Sequence, residues 1–84
     1  MVKKLTLLLE LGEPTTFLIE TEDDLRCLEH FQKDMENLNI VDFPVDSSTV
    51  LYYFRSMQAY LLARLHWITL QKFLCTSNPV EENL

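Results

Sequence analysis

Residues 48–75 read STVLYYFRSMQAYLLARLHWITLQKFLC, a stretch without glycine, proline or acid. Such a run predicts one helix from about Ser48 to Cys75, capped within Asp46, Ser47, Ser48 and Thr49 and stopped before Pro79. At about 100° per residue, Val50, Phe54, Met57, Leu61, Leu65 and Ile68 share one sector, the stripe expected to face a core. A second sector carries Tyr53, Tyr60, Trp67 and Leu74 at sevenfold spacing, with Tyr52, Ala59, Ala63 and Leu70 beside them. Two apolar faces need two partners. A rod of this length spans about 40 Å, whereas a compact domain of 84 residues is only about 30 Å across. The expectation is that one face packs inside the chain and the other meets a second protein, with Tyr53, Tyr60, Ala63, Trp67 and Leu70 at that contact. Ser56, Ala59 and Ala63 would form a groove of small side chains there, and Tyr and Trp are types enriched at interfaces.

Upstream, Leu5, Leu7, Leu9 and Leu11 alternate with Thr6, Leu8 and Glu10, the period of a strand with one buried face over residues 3–11. Gly12-Glu13-Pro14-Thr15 turns the chain, and Thr16–Glu20 returns antiparallel with Phe17 and Ile19 on the buried side. Thr21 is a helix N-cap followed by Glu22, Asp23 and Asp24, acids that suit the positive end of the helix dipole. Leu25, Leu28, Phe31, Met35 and Leu38 then mark one stripe of an amphipathic helix of about 16–18 residues. Residues 40–45 are extended, since Pro44 steers Phe43 from helical dihedrals, and leave room for a short third strand. The predicted fold class is α+β: an N-terminal β-hairpin, a possible third strand and two helices, the second long and bifacial. One domain covers residues 1–78, with a polar tail at 79–84.

Composition narrows the function classes. The chain is 48% hydrophobic with a net charge of −6 and a single glycine. One glycine cannot build a phosphate-cradling loop or a dinucleotide fingerprint, and the negative charge disfavours direct nucleic-acid binding. Charge is uneven: residues 1–46 hold eleven acids and four bases, net −7, and residues 47–84 three bases and two acids, net +1. The bases Arg55, Arg64 and Lys72 are expected to find acids of the first helix, within one chain or across a dimer. Arg55, Arg64, His66 and Lys72 interrupt the apolar stretch 50–74, so no membrane span is expected. Thr6 and Glu10 break the N-terminal apolar run before it could form a signal peptide. The default is a cytoplasmic protein.

Cys27 and Cys75 are expected as buried reduced thiols. Cys27 and His30 are neighbours on one helix surface, which admits a nucleophile–base pair, but no glycine-containing turn stands ready as an oxyanion hole. Cys27, His30, His66 and Cys75 have no recognisable zinc spacing, so neither a metal nor a cofactor is expected. His66 is expected at the helix boundary with a polar partner or water. The leading expectation is a non-enzymatic interaction module, an adaptor, inhibitor or regulator that homodimerises through the long helix. The alternative is an acidic inhibitor that presents Glu22, Asp23, Asp24 and Glu29 to a basic nucleic-acid site on a target, as a phage or mobile-element protein could. A second alternative is a small enzyme using Cys27 and His30.

Overall fold

A computed structural model describes residues 2–75; the tail expected at 79–84 lies outside them. The fold is α+β, as expected. Strands β1 (Lys3–Leu9) and β2 (Thr15–Ile19) form the N-terminal hairpin, and helix α1 (Glu22–Asn37) follows. Strands β3 (Asp42–Asp46) and β4 (Thr49–Phe54) come next, and helix α2 (Met57–Leu70) passes into a π-helical turn at Gln71–Cys75. The sheet order is β2-β1-β4-β3, antiparallel except for the central parallel pair of β1 and β4.

The hairpin has the expected facing. Leu5 pairs with Phe17 and Lys3 with Ile19, which puts Leu5, Leu7, Phe17 and Ile19 on one face. Leu11 lies beyond the end of β1 and is exposed. The Thr21 hydroxyl accepts from the Asp24 amide at 3.0 Å, so α1 starts where its cap and acids predict. Its far end is a Schellman cap. Asn39 adopts φ 62°, and the Ile40 and Asn39 amides donate to the Met35 and Glu36 carbonyls at 2.8 and 3.0 Å. That turn lays Ile40 beside Met35 and aims the chain back toward the sheet. Cys27, Leu28, Phe31 and Met35 are the buried residues of α1, while the expected stripe members Leu25 and Leu38 are exposed.

The single rod expected over 48–75 is not formed. Residues 49–54 are β-branched, aromatic or leucine and form a central strand, where such side chains pack well on a pleated surface. The residues taken as helix caps make a hairpin turn instead: the Asp46 carboxylate accepts from both the amide and the hydroxyl of Ser48 at 2.7 Å, which holds its carboxyl below the usual range. The expected third strand is present as β3, an edge strand bearing Pro44 and two aspartates, features that discourage further strand pairing.

Helix α2 starts eight residues late, at the Ser56 cap, whose hydroxyl accepts from the Ala59 amide at 3.2 Å. This boundary has a sign test. Ser56→Ala removes a cap and is expected to lower stability by about 1 kcal/mol, as is Thr21→Ala; in an unbroken rod, alanine at 56 would stabilise. Urea denaturation of both variants decides.

Both helices cover the same sheet face. Leu5, Leu7, Ile19, Tyr52 and Phe54 lie beneath Phe31 and Met35 of α1 and Tyr60, Ala63, Trp67 and Leu70 of α2. Trp67 is the centrepiece, fully buried, with its ring centroid 5.6 Å from Phe31 and 5.9 Å from Phe17. Tyr60 packs on Phe54 at 6.1 Å and hydrogen-bonds Thr15. Tyr52 meets Phe31 edge-on at 5.6 Å. Burial, reinforced by the carboxylates of Asp42 and Glu36, pushes the Tyr52 phenol well above its ordinary pKa. A folded-state pKa above the unfolded one contributes stability that is whole below about pH 10 and is lost as pH rises beyond it. Unfolding is therefore expected to become easier above about pH 10 in wild type, and less steeply in Tyr52→Phe, as followed by circular dichroism.

Candidate functional site

Helix α2 is apolar on two sides, and the structure assigns those sides opposite to the expectation. Tyr60, Ala63, Trp67 and Leu70, expected at a partner contact, are the buried residues of α2. The cause is β4: once residues 49–54 join the sheet, α2 lies across β1 and β4, and only the aromatic side fills the space between Phe17, Phe31 and Phe54. Tyr53 is separated from the other four. It lies on the uncovered sheet face, 6.4 Å from Phe43 between ring centroids. Its phenol is raised by desolvation and by Glu10, against the opposing effect of Arg55.

Of the stripe expected to face the core, Val50 and Phe54 do so from β4, and the part carried by α2 is exposed. Met57, Leu61, Leu65 and Ile68, with Leu62 at their border, are between 47% and 60% exposed. Phe73 and Leu74 on the π-helical turn are exposed as well, at 69% and 58%. No acid interrupts α2. A surface leucine alone needs no explanation, but five such side chains in one row form a patch of the kind that marks an interaction site.

Beside this row, α1 and α2 diverge around a groove of about 480 Å³, walled by Met35, Leu38, Ile40, Ala59, Leu62 and Ala63. Of the small side chains expected to form a groove, Ala59 and Ala63 line this one, on the α1 side of α2, and Ser56 does not. His66 Nε2 and Asp34 Oδ2 meet at 2.8 Å at its mouth, and Asn37 completes the polar lining. This is the polar partner expected for His66. No ion pair joins Arg55, Arg64 or Lys72 to α1 among the described residues, where Arg26 pairs with Asp23. Arg64 instead lies over the Tyr60 ring, 5.6 Å from its centroid.

The remaining candidates are placed as follows. Asp23 pairs with Arg26, and Asp24 accepts from the Glu20 amide at 3.3 Å, while Glu22 and Glu29 are exposed. Two of the four acids are thus engaged in building the start of α1. Cys27 is fully buried and disulfide-bonded, contrary to the expected reduced thiol; His30 is exposed. A sulfur held in a disulfide is not a thiolate nucleophile. Among the described residues there is no cluster of three or more potential metal ligands and no helix long and apolar enough to cross a membrane. Comparison with protein-family models, with curated proteins and with solved structures finds no match.

Proposed function

We propose that this chain is a non-enzymatic interaction module that pairs with a second copy of itself through the exposed row of α2. The observation that carries this reading is the row Met57, Leu61, Leu65 and Ile68, left in solvent on a helix whose opposite side already fills the core. With Leu62 these side chains offer on the order of 500 Å² per protomer, so a symmetric pair would bury about 1,000 Å², the lower bound of a specific interface. A two-fold axis near Leu61 and Leu65 would set two α2 helices antiparallel, apolar against apolar. In that role the protein would act as an adaptor, inhibitor or regulator, its acidic first half remaining outside the contact.

Analytical ultracentrifugation tests this reading directly. The expected mass at micromolar concentration is that of two chains; a single-chain mass throughout the accessible range would overturn it. Disulfides are rare in the cytosol of mesophiles, so the bonded Cys27 favours oxidising surroundings; its recovery in oxidised form from alkylated cell extracts is the expected result, and recovery as a thiol would overturn it.

A further inference from the structure

The groove between α1 and α2 is distinct from the row proposed for pairing. The row is convex and the groove concave, with Leu62 as the ridge between them. Its volume of about 480 Å³ falls within the range of small-molecule sites, about 300–1,000 Å³. Leu38 and Leu62, 64% and 59% exposed, stand at the groove with apolar surface still to bury.

The lining offers an acid to a ligand and no lysine or arginine. Its polar groups are one carboxylate, one amide and one imidazole. Asp34 and His66 side chains are 43% and 36% exposed, so they stand at the mouth, where a ligand's head would lie. A carboxylate has two oxygens and about four lone-pair sites; one oxygen is used by His66, which fixes the group and leaves acceptor capacity for a donor.

We propose that this groove binds a small cationic amphiphile, its hydrocarbon part against Met35, Leu38, Ile40 and Leu62 and its ammonium head on Asp34. An anionic amphiphile of the same length would place its charge against Asp34 and is disfavoured. The two alanines matter because any larger side chain at 59 would occupy the space the hydrocarbon needs. Leu62 is the one side chain the groove shares with the pairing row.

The test titrates the 15N-labelled protein with n-octylammonium chloride, 1-octanol and sodium octanoate, each below its aggregation threshold. The expected result is saturable shifts at Asp34, Met35, Leu38, Ala59 and Ala63 with octylammonium, at least tenfold tighter than with octanoate. Ala59→Phe, which fills the groove from a partly exposed position and keeps the protein's charge, is expected to abolish the saturable shifts. Asp34→Asn is expected to remove the preference for octylammonium over octanol and spare the hydrocarbon contacts. Linear shifts scattered over the surface, equal affinity for octanoate, or undiminished binding by a folded Ala59→Phe protein would each overturn the proposal. Sedimentation of the same samples reports on pairing separately, so the two readings fail independently.

Discussion

Trp67→Ala is expected to shift the urea unfolding midpoint far below that of wild type. Emptying a fully buried aromatic site costs about 3–5 kcal/mol, and a domain of this size has a total stability of roughly 4–13 kcal/mol. The site has little freedom to collapse, since Trp67 is wedged between Phe17 and Phe31 across the joint of α1, α2 and the sheet. Trp67→Phe is expected to be far milder, about 1–2 kcal/mol, because the buried indole Nε1 has no hydrogen-bond partner and its removal strands no acceptor. Urea unfolding followed by circular dichroism measures both. Were Trp67 at a contact between copies, alanine there would instead yield a folded monomer.

Leu61→Asp combined with Leu65→Asp is expected to give that folded monomer. Placing two carboxylates at the centre of the exposed row leaves the core residues of α2 untouched, so the helical signal should match wild type. Across a symmetric contact the four charges would meet in an apolar setting, and the dissociation constant is expected to rise at least a hundredfold, which is about 2.7 kcal/mol. The wild-type unfolding midpoint should rise with protein concentration, as it does for any pair that binds only when folded, and that dependence should vanish in the double variant. A double variant that sediments and unfolds as wild type does would remove the proposed interface.

How much of this was legible beforehand differs by element. The hairpin and α1 carry signals that agree on the type of each element: leucines alternating over residues 5–11, a glycine and proline in the turn, Thr21 with acids after it, and apolar steps of three and four. Residues 49–54 carry two signals that conflict. Val50, Phe54 and Met57 continue the helical period of Leu61 and Leu65, while Val50, Tyr52 and Phe54 equally fit a strand of period two, and a short apolar run does not separate them. The β-branched and aromatic content from Thr49 to Phe54 and the serine at 56 favour a strand followed by a new helix, but no glycine or proline marks the break.

The sides of α2 are a different kind of problem. Both are apolar, so hydrophobicity alone does not rank them. Shape decides: the gap between Phe17, Phe31 and Phe54 takes an indole and a phenol, and the leucine side is left out. The two-sided character of the helix was visible in sequence, but which side faces inward depended on a strand that was not. The His66–Asp34 contact joins residues 32 apart in the chain and left no local trace beyond the expectation of a polar partner.

The most direct test of the account is acrylamide quenching of the fluorescence of Trp67, the only tryptophan, in the Leu61→Asp/Leu65→Asp protein under conditions where it sediments as one chain. With α2 capped at Ser56 and its aromatic side on the sheet, the emission stays shifted to the blue and is barely quenched, as in wild type. Red-shifted emission with quenching approaching that of free indole, in a chain that is still helical, would contradict it.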